Sequence, residues 1–210
     1  MKKTLILLAA LLLAVINVNA KKVKVTIDGI APHYMQSRYL IINEDTAHAQ
    51  LINIKDGKFS VTVEVDKNAF IRIHDYKGFP QNCVFVLIPD SPHITVNLST
   101  GEITGSPMSK RLKSAIHEAQ KSSPEGFHID VFSDNPEAWA EAQEKGRTIR
   151  DQMRNEQRED IIRIIEENKK NYIPAWIAYC FSDVFYGGMD EITRGKKAKW
   201  LKHPILNKNQ

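Results

Sequence analysis

The stretch Gln50–Val65, QLINIKDGKFSVTVEV, decides the fold. Asp56-Gly57 lies between two runs in which apolar and polar residues alternate. A type I′ turn needs positive φ at both central residues, and Asp-Gly is a pair that tolerates this. The sequence therefore predicts a β-hairpin whose apolar residues share one face. Its expected facing pairs are Lys55 with Lys58, Ile54 with Phe59, and Ile52 with Val61.

Short apolar or alternating runs lie on both sides of this hairpin, and turn residues such as Asp45-Thr46 separate them. The further predicted strands are Lys22–Ile30, Arg38–Asn43, Ala69–His74, Cys83–Ile88, Ile94–Leu98 and Gly101–Thr104. Cys83–Ile88 is continuously apolar, which predicts a strand that is covered on both faces. Seven or eight short strands with turns between them indicate an antiparallel β-sandwich or open barrel over residues 21–105.

The periodicity changes to that of helices after Gly105. Ser106-Pro107 offers an N-cap hydroxyl and a proline at the first helical position. Asn135-Pro136 offers the same combination of an N-cap side chain and a following proline. Three helices are predicted in the helical region 106–188: one that starts at Pro107, a long polar one from about Glu137 to Asn168, and Ala175–Tyr186. A basic tail without clear period, residues 189–210, follows. Strands first and helices second predict the α+β class.

The first twenty residues have the pattern of a secretory signal peptide. Lys2 and Lys3 precede the apolar run Leu5–Ile16, and Val18-Asn19-Ala20 suits a cleavage site after Ala20. Twelve apolar residues are fewer than the ~20 that a membrane-spanning helix needs. We therefore expect a periplasmic or secreted protein without a transmembrane segment once the signal peptide is cleaved.

The charge of the chain gives little reason to expect a nucleic-acid partner. The formal net charge is +4, and it falls to +2 when Lys2 and Lys3 are removed. Most of the remaining excess lies in Arg194–Lys208, which a solvated tail explains as well as a binding patch does. We expect partners in the cell envelope instead, either a protein or a small ligand.

The residue types that carry catalysis do not form a recognisable set. The two cysteines, Cys83 and Cys180, are far apart, and each lies in an apolar run, so buried thiols are favoured over a disulfide. The seven histidines lack metal-ligand spacing, although His74 and His93 could meet across a sheet near Cys83. No nucleophile elbow, phosphate-binding loop or dinucleotide fingerprint is present. We expect no enzyme activity, no metal and no cofactor.

Aromatic residues in and near loops are the better candidates for a binding site. They are Tyr34, Tyr39, Tyr76 and Phe79. Exposed aromatics at the end of a β-sandwich often contact ligands or partner proteins. The alternative is that these side chains close the ends of the sandwich, which is the commoner role of packed aromatics.

Several of these turns and strands together carry a resemblance to a known family. They are Val25–Gly29, Asp56-Gly57-Lys58-Phe59, Val86–Asp90, Ile94–Leu98 and Gly105-Ser106-Pro107. The series resembles the domain-of-unknown-function family four-three-six-nine, which lies at the N-terminus of secreted thioredoxin-like proteins of Bacteroidota. The sequence ends at Gln210 and has no C-x-x-C, so we expect this domain without the thioredoxin domain.

Three functions follow from these observations. The first is a non-enzymatic binding module of the cell envelope. The alternative that the resemblance implies is an accessory or truncated relative of a thiol–disulfide oxidoreductase, which needs a low-pKa thiolate. The third is a structural domain whose long polar helix mediates dimerisation.

Overall fold

A computed structural model describes residues 22–32, 37–74, 85–125, 127 and 135–207. In that part of the chain eight strands precede four α-helices, which confirms the α+β class. The strands are β1 (Lys22–Ile30), β2 (Ser37–Ile42), β3 (Gln50–Asn53), β4 (Lys58–Asp66), β5 (Ile71–His74), β6 (Phe85–Leu87), β7 (His93–Asn97) and β8 (Glu102–Thr104). The helices are α1 (Pro107–Gln120), α2 (Pro136–Glu167), α3 (Ile173–Phe181) and α4 (Gly188–Thr193).

The strands form two open four-stranded sheets that enclose a core in the manner of a sandwich. The first sheet has the order β4-β1-β7-β8 and the second has the order β3-β2-β5-β6. The expectation of an antiparallel arrangement is wrong for one pair, because β1 and β7 are parallel, with Thr26 opposite His93. The chain reaches β7 by crossing from the second sheet to the first, so β7 joins β1 without a hairpin.

The Asp56-Gly57 turn has the predicted backbone, with φ of 50° at Asp56 and 71° at Gly57. Lys55 and Lys58 exchange two backbone hydrogen bonds of 2.9 Å across it. The predicted pairing beyond them is wrong, because β3 pairs with β2 whereas β4 pairs with β1. The pairs Ile54–Phe59 and Ile52–Val61 are therefore not formed. Alternation fixes which side chains are buried but not which strand is the neighbour, and the two arms supply one core from opposite sheets.

The sandwich core is the cluster of apolar side chains between the two sheets. It comprises Val25, Ile27, Leu40, Ile52, Phe59, Val61, Val63, Val65, Ala69, Ile71, Ile73, Phe85, Leu87, Ile94, Val96 and Ile103. Gly29 lies opposite Phe59 in the register, and a Cβ on Gly29 would be 1.9 Å from the Phe59 ring. The aromatic ring thus occupies the space that any other residue in place of Gly29 would need.

A second cluster, the helical core, lies between the helices and the outer side of the second sheet. Phe85 and Leu87 point into the sandwich core whereas Val86 and Ile88 point into the helical core, so this strand is covered on both faces as predicted. The other members of the helical core are Phe70, Leu112, Ala115, Ala119, Ile161, Ile164, Ile165, Ile173, Ala175, Trp176, Ile177, Ala178, Phe181, Phe185, Ile192, Trp200, Ile205 and Leu206.

The helix starts agree with the predicted caps. The Ser106 hydroxyl accepts from the Ser109 amide, and the Asn135 side chain accepts from the Glu137 amide. The predicted number of three helices is wrong, since a short fourth helix begins at Gly188. The helix predicted to reach Tyr186 ends at Phe181, and a 3₁₀ turn follows.

The segment after Gly195, which we interpreted as part of a basic tail, contains the 3₁₀ turns Lys199–Lys202 and Pro204–Asn207. Trp200, His203 and Ile205 are fully buried there. These three buried side chains follow no helical or strand period, so the sequence pattern does not predict their burial. None of the described helices is both long and apolar enough to cross a lipid bilayer.

Candidate functional site

Of the four aromatic residues proposed as a binding site, one lies in the described part of the chain. Tyr39 is half-buried on β2, opposite His74 of β5. Tyr34, Tyr76 and Phe79 lie outside the described residues. A site formed by these four side chains stays a prediction.

The residues proposed for metal or thiol chemistry are spread over the molecule. His74 and His93 belong to different sheets, and the His93 Nε2 atom lies 3.0 Å from an Asp28 carboxylate oxygen. Over the described ranges, no three His, Cys, Asp or Glu side chains are grouped to hold a metal ion. Cys180 is half-buried near the end of α3, beside a cavity of about 230 Å³, while Cys83 lies outside the described residues. The expectation of two buried thiols and no disulfide between them, and any role in thiol exchange, therefore stay predictions.

A cavity of about 430 Å³ opens where the sandwich meets the helices, and we call it the junction cavity. It is formed by the β4–β5 turn, the β6–β7 turn, the first turn of α1, the α2–α3 loop and the 3₁₀ turn at Lys199. Its lining residues are Lys67, Asn68, Ile88, Asp90, Met108, Asn171, Tyr172 and Lys199. Five separate segments thus converge on one concave site, which is the usual setting of a small-molecule site.

Apolar groups form one side of the junction cavity. Ile88 belongs to the helical core, and Met108 and Tyr172 pack against that core. Two groups contact the Tyr172 ring: the His203 ring at 5.7 Å between centroids and the Lys199 ammonium at 5.2 Å from its centroid. The cavity therefore offers a ligand a partly buried surface of apolar and aromatic atoms.

Two ammonium groups and one carboxylate give the cavity its charge. Lys67 and Lys199 are exposed at the cavity. The Asp90 carboxylate is already occupied: one oxygen accepts from the Met108 amide at 2.8 Å and the other from the Ser106 hydroxyl. Asp90 also lies at the positive end of α1, which further compensates its charge. The uncompensated charge at the cavity is therefore positive.

Two buried serines below Asp90 connect α1 to the second sheet. The Ser109 hydroxyl accepts from the Ile88 amide at 2.8 Å, and the Ser106 hydroxyl accepts from the Ser109 amide at 3.0 Å. Both serines are fully buried. Their hydroxyls hold the start of the helix in place and are shielded from a ligand, so they position the cavity wall.

The wall of the cavity on the side of the C-terminal 3₁₀ turns is held by His203. Its Nε2 atom lies 2.8 Å from the Asn68 carbonyl oxygen, and its Nδ1 atom lies 3.2 Å from the Ile205 amide. Burial lowers the pKa of His203 below its usual range, and the hydrogen bond to Asn68 opposes this shift in part. A neutral imidazole therefore links the β4–β5 turn to the end of the described chain.

No protein family, curated protein or solved structure that was compared with this chain matches it. The resemblance to the family four-three-six-nine accordingly stays a prediction.

Proposed function

We propose that the protein is a non-enzymatic binding module that holds a small amphipathic anion in the junction cavity. The observation that carries the proposal is a cavity of about 430 Å³ with an apolar side and two lysines whose charge no free carboxylate of the cavity offsets. The pattern of residues 1–20 supports a place in the periplasm or outside the cell, as part of the same proposal.

The size and the chemistry of the cavity support a ligand with two parts. Cavities of ~300–1,000 Å³ usually hold small organic molecules, and the junction cavity falls in this range. Ile88, Met108 and Tyr172 provide surface for an apolar body. Lys67 and Lys199 provide two ammonium groups for an acidic end, while their aliphatic stems extend the apolar surface.

A binding role without turnover is supported by what the polar groups at the cavity already do. Asp90 accepts hydrogen bonds from the start of α1, and Ser106 and Ser109 are buried beneath it. A nucleophile needs an adjacent base and access to the substrate. These two serines have no such access.

The proposal is tested by isothermal titration calorimetry with octane-1-sulfonate and octylammonium, which differ mainly in the sign of their charge. We expect the sulfonate to bind more tightly. The double variant Lys67→Ala/Lys199→Ala should bind it about tenfold more weakly, since two exposed ion pairs contribute about 1.4 kcal/mol in total.

The matched control is Lys24→Ala/Lys145→Ala, which removes the same charge from exposed positions that do not line the cavity. It should bind the sulfonate as the unmodified protein does. Equal affinity for both probes, or equal loss in both double variants, would overturn the proposal.

A further inference from the structure

We propose that His203 is a proton-sensitive latch that holds the C-terminal segment Lys199–Asn207 against the sandwich and thereby keeps the junction cavity closed on that side. The latch stands on the contacts of His203 alone. Its effect on a ligand rests on the proposed function of the cavity.

The hydrogen bonds of the imidazole fix which nitrogen carries its proton. A backbone carbonyl can only accept, so Nε2 donates to the Asn68 carbonyl at 2.8 Å. A backbone amide can only donate, so Nδ1 accepts from the Ile205 amide at 3.2 Å. Both nitrogens are satisfied in the neutral ring that is protonated at Nε2. A second proton would have to enter at Nδ1, where it would face the hydrogen of the Ile205 amide.

The surroundings of the ring leave little room for that proton to be accommodated. His203 is 1% exposed, and its ring packs against the Phe70 ring at 4.7 Å and the Tyr172 ring at 5.7 Å between centroids. A buried imidazolium without a paired carboxylate is costly. Protonation therefore favours exposure of the ring to water, which requires the segment to leave the sandwich.

The charged groups on the elements around the ring give an imidazolium no compensating partner. The titratable and charged residues on these elements are Asp66 and Lys67 of the β4–β5 turn, Arg72 and His74 of β5, Lys169, Lys170 and Tyr172 of the α2–α3 loop, Tyr179 and Cys180 of α3, and Lys199 and Lys202 of the segment itself. Cations outnumber the one carboxylate, and Arg72 is already paired with Glu44. Among the described residues, no carboxylate is paired with this ring, and the ring is 1% exposed to solvent.

The segment and the cavity share their contacts, so the latch controls the cavity wall. Trp200 and Ile205 are buried with His203 and belong to the helical core. Asn68, Tyr172 and Lys199 contact either His203 or each other, and all three line the junction cavity. Release of Lys199–Asn207 would remove Lys199 from the cavity and would take both His203 and Lys199 away from the Tyr172 ring.

The direction of the pH effect follows from the lowered pKa of His203. The folded segment binds fewer protons at this residue than the released one, whose histidine titrates near the ordinary value of 6.5. The stabilisation from neutral His203 is therefore complete above that pH. It is lost progressively as the pH falls below it toward the pKa of the folded state.

Hydrogen exchange of the whole protein, corrected for the intrinsic rates, tests the latch at about pH 7.5 and about pH 5.5, on either side of the ordinary histidine pKa. We expect peptides covering Lys199–Asn207 to lose protection about tenfold in acid, relative to β1 peptides in the same sample. His203→Gln keeps a donor and an acceptor without a titrating group, and should show equal protection at both pH values. His117→Gln, an exposed histidine of α1, should behave as the unmodified protein does.

Two outcomes overturn the latch. One is unchanged relative protection of Lys199–Asn207 in the unmodified protein. The other comes from NMR chemical shifts of the imidazole nitrogens, a measurement that needs no variant. A neutral ring protonated at Nδ1 would contradict the geometry, and so would a pKa of His203 at or above the ordinary value. If His203→Gln fails to fold, these two measurements still decide.

The effect of the latch on a ligand is tested by calorimetry with octane-1-sulfonate at the same two pH values, because a sulfonate stays ionised at both. We expect weaker binding in acid for the unmodified protein and equal binding for His203→Gln. Equal affinity at both pH values in the unmodified protein would overturn the effect of the latch on the cavity. If the probe binds at neither pH while the exchange result holds, the proposed function fails and the latch stands. If the probe binds at pH 7.5 but Lys199–Asn207 shows no loss of protection in acid, the latch fails and the proposed function stands.

Discussion

The sandwich core and the helical core are similar in the kind of residue they bury, but they differ in how the chain supplies those residues. Every member of the sandwich core comes from residues 25–103. The helical core instead combines three residues from in and beside the second sheet, Phe70, Val86 and Ile88, with residues of α1, α2, α3, α4 and the C-terminal 3₁₀ turns. The first core is formed by the strand region alone, whereas the second needs the outer side of the sandwich as its floor.

This difference implies an order of dependence between the two cores. Loss of the helical core would expose one face of the second sheet but leave both sheets paired and their common core buried. Loss of the sandwich core would remove the floor on which the helices pack. The predictions below test whether this dependence is one-sided.

The largest expected effect is that of Trp176→Ala compared with Ile94→Ala. Both side chains are essentially inaccessible, one in each core, and truncation should lower the free energy of unfolding by about 3–5 kcal/mol for Trp176→Ala and about 2–5 kcal/mol for Ile94→Ala. Hydrogen exchange should show lost protection in the helices alone for Trp176→Ala, and in both regions for Ile94→Ala. Equal loss of protection in β1 in the two variants would mean that the cores unfold as one unit.

A smaller effect is expected at the Arg72–Glu44 ion pair, on the side of the second sheet that faces away from the sandwich core. The pair is 2.7 Å long, with side-chain exposures of 1% and 6%. Glu44→Gln removes the carboxylate charge beside a buried guanidinium and should lower the free energy of unfolding by about 2–3 kcal/mol in urea denaturation.

The control is the double variant Glu44→Gln/Arg72→Met, which should recover most of that loss because the guanidinium charge is removed together with the carboxylate charge. A double variant no more stable than Glu44→Gln would contradict this. Arg72 lies opposite Val86, a member of the helical core, in the strand register. The outcome therefore bears on the face of the second sheet on which the helical core packs.

The smallest expected effect is at the connection between the two regions, where Ser106 caps α1 and bonds to Asp90. Ser106→Ala removes the acceptor for the Ser109 amide and should cost about 1–2 kcal/mol in thermal or urea unfolding. Ser114→Ala, on the exposed side of the same helix, should change stability by less than about 0.5 kcal/mol. Similar costs for the two serines would show that the cap does not connect the regions.

Much of the strand region could be predicted because its residues obey a period of two. Lys22–Ile30 has the predicted bounds, and the Asp56-Gly57 turn has the predicted φ values. A second turn of the same kind, Asn43-Glu44, escaped prediction: φ is 47° and 59°, and the Asp45 amide donates to the Ile42 carbonyl at 2.9 Å. Glutamate rarely adopts positive φ. It does so here where its side chain pairs with Arg72, a contact that local sequence does not encode.

The candidate site could be predicted only where a local rule applied. Ser106 was predicted as a cap from Ser-Pro alone. Lys67, Tyr172 and Lys199 come from three loops that are far apart in the chain and have no periodicity, so no pattern connects them. Which arm of the hairpin would join which sheet was equally unpredictable, because either pairing buries the same alternate residues.

The position of β1 between β4 and β7 bears on how the molecule folds. The first strand of the chain is central in its sheet, and Ile27 meets Val61 on one side and Ile94 on the other. Neither neighbour exists when β1 leaves the ribosome, and the second is formed from residues far along the chain. Such contacts of high sequence separation slow folding. We expect the first sheet of a newly made chain to stay incomplete until β7 is available, because β1 needs β7 as its second neighbour.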